Sequence, residues 1–234
     1  MIYALIASLV LLLAIPLPTN AQYFGQFTGM AIVEFLPDGR RMRLTKDFSY
    51  IDPAGGRWTA PAGSVVDGAS IPKFAWSLIG GPFEGRYRDA SVIHDIACIN
   101  KDRPWELVHL TFYNAMRASD VDPTLARFMY AAVYHFGPRW TYTYATNAIK
   151  DLDDIKSETD KIKRTSDSNS RIVVRRRNPL YEYRGEPSEV IELIVIPSAT
   201  YLSQENFARL QAAIKSRETS ALGEMSLEEI RNFK

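Results

Sequence analysis

The chain has 234 residues, of which 46% are hydrophobic and 24% charged, with 28 basic against 27 acidic side chains and a net charge of +1. That balance excludes a global field drawing the protein to nucleic acid or to an anionic membrane, and the apolar content is enough for a core that needs no disulfides. Cys98 is the single cysteine, which excludes an intrachain disulfide and makes this residue read as a small buried hydrophobe.

Residues 1–21, MIYALIASLVLLLAIPLPTNA, are apolar from Ile2 to Ile15 apart from Ser8, then break at Pro16 and Pro18. The run is short for a membrane span and suits the hydrophobic region of a signal peptide, with Thr19-Asn20-Ala21 as a small-x-small cleavage site. The expectation is an exported protein, periplasmic or secreted. The alternative is an uncleaved anchor, which would then be the only membrane contact. The segment before the apolar run has no Lys or Arg.

Residues 22–150 read as an α+β domain. FTGMAIVEFLPDGRRMRL predicts two strands around a Pro37-Asp38-Gly39 turn. Turn signals at Pro53, Gly55-Gly56 and Pro61-Ala62-Gly63 then predict further short strands. Helices follow. A short one starts at Ser70, whose hydroxyl suits an N-cap, and stops at Gly80-Gly81-Pro82. A second spans about Gly85 to Ile99, and a third begins near Pro104 with Trp105, His109, Phe112 and Met116 on one stripe. The fourth is capped by Asp122, opens on Pro123, and stops at Gly137-Pro138. RWTYTYATNAIKDLDDIK reads as a further helix that turns polar. Residues 151–170 read as a polar linker, densest in charge and hydroxyls from Ser157. Residues 171–234 read as a small α/β appendage, with two strands and two helices. Its Arg175-Arg176-Arg177 run is a solvated strand end and not a nucleic-acid patch, since nothing aromatic interleaves it.

The architecture expected is therefore α+β: a small antiparallel β-rich N-terminal part packed on a bundle of about four helices, plus the C-terminal unit. The chemistry-bearing segment is DASVIHDIACINKD, residues 89–102. Apolar nearly all round, this helix must be buried, so His94 and Asp95 need partners within the fold. His109 lies on the core-facing stripe of the next helix, and the very short loop between the two helices brings it within reach. Asp67, at a strand end before Gly68 and Ser70, is the fourth member. A histidine oriented by a carboxylate serves as a general base. Two histidines, His94 and His109, with carboxylates also suit a divalent metal, although the spacing matches no established zinc signature. The bland alternative is a hydrogen-bonded polar cluster that fixes the strand-helix junction. His135 sits beside the stripe of the fourth helix and reads as a surface or half-buried residue.

These segments together resemble a known family. MRLTKDFSYIDPAGGRWTAPAGSVVDGASIPKFAWSLIG, GRYRDASVIHDIAC and FYNAMRASDVDPTLARFMYAAVYHFG are similar, in that order, to the domain of unknown function DUF1353, over roughly residues 27–140. The family is common in phages and bacterial genomes. Asp67, Ser70, Ile71, Pro72, Trp76, His94, Asp95, Phe112 and Met116 match its motifs. Gly68 stands where the family commonly has an aromatic residue, and His109 where it usually has an Asp; His also ligates and relays protons, so a metal or relay role survives that change. HDIAC is more faintly similar to the HDxCY helix of secreted phospholipases A2, where the Asp binds calcium, but here the Cys comes one position late and no calcium loop precedes it. The resemblance implies a fold and a site, not a reaction.

Two functions are expected. One is an exported hydrolase acting on peptidoglycan or lipid, with His94, Asp95 and Asp67 catalytic, Ser70 and Trp76 against substrate, His94 and His109 as ligands, and zinc or calcium as the metal. The other is a non-catalytic phage-derived structural or envelope-binding module whose partner is an envelope component or a phage or envelope protein, and whose cluster is structural.

Overall fold

The computed structural model describes residues 22–39, 41–67, 85–145, 152–166, 170–177, 190–197 and 202–234. The segment 1–21 and the short helix expected from Ser70, with Trp76, lie outside the described residues. The architecture is α+β.

Six short strands come first: β1 Gln26–Phe27, β2 Val33–Phe35, β3 Met42–Leu44, β4 Phe48–Ile51, β5 Arg57–Ala60 and β6 Val65–Val66. They form two antiparallel three-stranded sheets, ordered β1-β4-β5 and β2-β3-β6. The Asp-Gly turn joins β2 to β3 as its sequence requires. Gly39 takes a positive φ of 68°, which costs glycine little, and the Asp38 carboxylate accepts from the Arg41 backbone N–H at 2.9 Å. A second acid organises β4–β5. Asp52 accepts from the N–H groups of Ala54 (2.9 Å) and Gly56 (2.8 Å) and from the Trp58 indole (2.8 Å), so one buried carboxylate is satisfied by three donors. Along β3, Met42 and Leu44 are buried while Arg43 faces solvent, the two-residue alternation of a sheet with one covered face.

Two helices, α1 Arg88–Asn100 and α2 Trp105–Ala118, pack on those sheets, and a third, α3 Pro123–Phe136, packs on α2. The third follows its sequence signals closely. Asp122 caps it by accepting from Leu125 N at 2.9 Å, Pro123 occupies the first turn, and Gly137 ends it. Lys101 ends α1 in the left-handed region, φ 51°, with its N–H bonded to Ala97 O at 2.9 Å. The chain then turns back within four residues into α2.

The C-terminal part departs from its sequence reading in three ways. Thr141–Ala145 is a strand, β7, where a continuing helix was expected; it pairs antiparallel with β9 Val190–Ile196, which also pairs with β8 Arg171–Arg177. Its alternation of β-branched and aromatic residues is a strand signal that the charged run after it obscured. Residues Leu152–Thr165, within the expected linker, form helix α4, with Asp153 and Asp154 in the first turn and Lys163 and Arg164 in the last, each matched to the helix dipole. The last helices, α5 Gln204–Glu218 and α6 Leu227–Arg231, are not a satellite: Phe207, Leu210, Ile214 and Ile230 belong to the same buried cluster as α3.

The third sheet also clamps the α1–α2 loop. Tyr142 Oη lies 2.8 Å from Lys101 O and 2.7 Å from Arg103 O, and the Trp140 indole donates to Arg103 O at 3.0 Å. Arg175 donates to Asn100 O and pairs with Asp102, both at 2.5 Å, placing a cation at the negative end of α1. The loop that sets the distance between α1 and α2 is thus held from outside.

Candidate functional site

Helix α1 is buried from Ala90 through Ile96, and again at Cys98. Such a helix offers its polar side chains only to other elements, and His94 meets His109 of α2, with His94 Nε2 2.8 Å from His109 Nδ1. The imidazoles are 2% and 0% exposed. Phe112 stacks on the His94 ring at 4.5 Å, and Trp105 meets the edge of His109 at 5.5 Å between centroids. The core-facing stripe of α2 therefore packs both rings from the same side.

The tautomers follow from the partners. His109 Nε2 lies 3.1 Å from the Pro138 carbonyl, which only accepts, so Nε2 carries the proton and donates. That leaves a lone pair on His109 Nδ1, and His94 Nε2 donates to it. Cys98, one turn after His94 on α1, places its Sγ 3.6 Å from His94 Nε2. Burial pushes the pKa of His94 well below its ordinary value, with His109 adding to the shift. Burial likewise brings His109 down to about 3; the Pro138 carbonyl opposes this and Arg139 reinforces it. Both rings are neutral at physiological pH, the form in which imidazole accepts a proton or ligates a metal.

Beside this pair is a cleft of about 600 Å³, lined by Asp67, Asp95 and Cys98 together with Arg41, Lys101, Arg171 and Pro138. Asp67 directly follows β6 and is half-buried, whereas Asp95 is 4% exposed. Lys101 donates to Cys98 O at 2.6 Å. Its ammonium pKa is lowered, chiefly by burial, with Arg171 and Arg175 adding to the shift and Cys98 opposing it.

The sequence expectation that His94 and His109 converge is met. Asp67 and Asp95 share the neighbouring cleft, and neither histidine lines it among the described residues. Ser70 and Trp76 lie outside the described residues. Cys98 is buried as the sequence implies, and its Sγ lies 3.6 Å from His94 Nε2, a contact that the spacing of four on a helix signals. One residue departs from its expected place. His135 is 3% exposed, against the expected surface or half-buried position, because α6 covers it and takes its Nε2 hydrogen bond at Ile230 O, 2.8 Å. The cationic side chains of the cleft, Arg41, Lys101 and Arg171, are scattered along the chain and have no sequence pattern.

Comparison with known proteins accounts for the motifs. Residues 42–133 match the family model DUF1353, described as a protein of unknown function. Over this segment the chain is similar to the DUF1353 family. The segment contains β3 through most of α3, and with them Asp67, His94, Asp95, Cys98 and His109. Two proteins of Sinorhizobium fredii (strain NBRC 101917 / NGR234) are similar to the chain. The uncharacterized protein y4jT is 47% identical over 123 residues, 52% of this chain and 37% of its own length. The uncharacterized protein y4iH is 39% identical over 117 residues, 50% of this chain and 49% of its own length. The chain thus spans less than half the length of either curated relative. No solved structure matches it.

Proposed function

We propose that the protein is a hydrolase whose reaction takes place in the cleft between β6 and α1. The observation that carries this reading is the meeting of two kinds of group in one cleft: two carboxylates, Asp67 and Asp95, and Cys98, whose sulfur is 3.6 Å from Nε2 of His94. Carboxylates facing a cleft supply general acid and base functions, which are worth about 10²–10⁴ in rate. The acid and base functions fall to the two carboxylates, because His94 Nε2, the nitrogen beside the thiol, already carries the proton it gives to His109. Arg41, Lys101 and Arg171 would select a substrate carrying carboxylate or phosphate. Both peptidoglycan stem peptides and phospholipid headgroups have that chemistry, consistent with an exported protein acting on the cell envelope. No helix among the described residues is long and apolar enough to cross a membrane, so envelope contact would come from the cleft or from segment 1–21.

The test is incubation of the protein with purified peptidoglycan and, separately, with anionic phospholipid vesicles, following released amino groups, reducing ends or fatty acids. The expected result is release from one of the two, reduced about 10²–10⁴-fold in Asp67→Asn with the fold unchanged by circular dichroism. Release no greater than that of Asp67→Asn from both materials would discard the reading.

The second reading is a phage-derived structural or envelope-binding module. It is favoured by the burial of both imidazoles and by the closed chain from His94 through His109 to Pro138 O, which needs no ligand to be satisfied. Under it, Asp67→Asn and Cys98→Ser leave binding to envelope material intact, and substitutions at His94 or His109 act through stability alone.

A further inference from the structure

Among the described residues, one group of three metal-ligating side chains has its donor atoms gathered within 4.8 Å of one another: His94, Cys98 and His109. We propose that these three residues form a two-nitrogen, one-sulfur site for a zinc-type divalent metal, with the fourth coordination position turned toward the Asp67/Asp95 cleft. In its catalytic role the site rests on the hydrolytic reading above; as a binding site it stands on donor geometry.

The separations suit such an ion. With Zn–N near 2.0–2.1 Å and Zn–S near 2.3 Å, a tetrahedral arrangement needs about 3.3–3.4 Å between two nitrogens and about 3.6 Å between nitrogen and sulfur. The structure has 2.8 Å between His94 Nε2 and His109 Nδ1 and 3.6 Å between Cys98 Sγ and His94 Nε2. The two nitrogens must part by about 0.5 Å to reach the tetrahedral spacing. The remaining edge, between the Cys98 and His109 donor atoms, is no longer than 4.8 Å.

Three further features fit. The Pro138 carbonyl fixes the His109 proton on Nε2 and leaves Nδ1 as the donor, the arrangement by which metal-bound histidines are commonly oriented. His94 and Cys98 lie four residues apart on α1, so a rigid helix presents two ligands side by side. Cys98 also lines the cleft, giving the ion one open side where water can bind and be activated. The donor set suits zinc or cobalt and disfavours calcium, which takes oxygen ligands. Binding balances simply. The proton between His94 Nε2 and His109 Nδ1 moves, leaving His94 as its Nδ1–H tautomer. The thiol proton of Cys98 passes to solvent, so one proton is released for each metal bound.

The full chain, purified without a histidine tag, is stripped with chelator and titrated with zinc and with cobalt. The expected results are one equivalent bound and, with cobalt, a thiolate-to-metal charge-transfer band in the near ultraviolet. Cys98→Ser should lose the band. It should also weaken zinc binding by no less than the ~10–100-fold that loss of a ligand's supporting partner costs. The wild-type spectrum needs no variant to fold. Absence of stoichiometric uptake, or uptake without the thiolate band, overturns the proposal. Metal uptake with the band but without turnover supports the site while removing the hydrolase, and turnover by metal-free protein overturns the metal's catalytic role.

Discussion

His109 on α2 and His135 on the neighbouring α3 are buried alike, and each gives a ring N–H to a backbone carbonyl: Pro138 at 3.1 Å and Ile230 at 2.8 Å. They differ in what surrounds the ring. Around His135 is a clasp. Arg127 donates to Met225 O at 2.9 Å and pairs with Glu224, and Arg231 donates to Tyr130 Oη at 2.7 Å, so with His135 four polar contacts seat the C-terminal segment on α3. His109 instead directs its second nitrogen at His94, with a cysteine sulfur one contact further on and a cleft beyond that. A carbonyl bond to one nitrogen marks a positioned histidine in both places. A second nitrogen aimed at other donor atoms marks one available for chemistry.

That comparison can be broken by substitution. The largest effect belongs to His109→Ala, which strands the His94 donor and opens a cavity in packed surroundings. It should cost about 3 kcal/mol in urea unfolding of the metal-free protein. A cost well below that of His135→Ala would invert the comparison. Next, zinc at a hundred times its dissociation constant should raise unfolding free energy by about 2.7 kcal/mol in the wild type. It should do so equally in His135→Ala, and by no more than about 1.4 kcal/mol in Cys98→Ser. An equal rise in all three would place the metal elsewhere.

His135→Ala itself should cost about 1–3 kcal/mol, the penalty for leaving the Ile230 carbonyl without its donor. Hydrogen exchange should show the loss confined to residues 204–234, with zinc uptake unchanged. A smaller effect comes from acid. Burial holds the His135 pKa below its ordinary value, against the Ile230 carbonyl and with Arg139 adding to the shift. The folded state then stays neutral while the unfolded chain takes up a proton near pH 6.5, so this stabilisation is full above about 6.5 and is lost as pH falls below it. The thermal midpoint should fall between about pH 7 and 5, and His135→Gln should flatten that slope.

The parts of this picture legible in the sequence are those set by local signals. The Asp122 cap, Pro123 and Gly137 delimit α3 to the residue, and the Asp38-Gly39 turn fixes the register of β2 against β3. The convergence of His94 with His109 was legible too, because a buried helix, a core-facing stripe and a four-residue loop leave few other arrangements. What escaped depends on contacts distant in sequence. The pairing of β7 with β9 joins residues some fifty positions apart, and the burial of His135 depends on α6, ninety-five positions later. Charge at the two ends of α4 read as a linker because a helix with little apolar face resembles a solvated one until its end charges are counted. Cys98 was assigned by its burial, which says nothing of which atom its sulfur faces.

The most direct measurement of the central claim is X-ray absorption at the zinc edge of the loaded, full-length protein. The account predicts a shell of two imidazole nitrogens and one sulfur at about 2.3 Å, with one lighter ligand completing it. A shell of nitrogen and oxygen alone, with no sulfur, would contradict it.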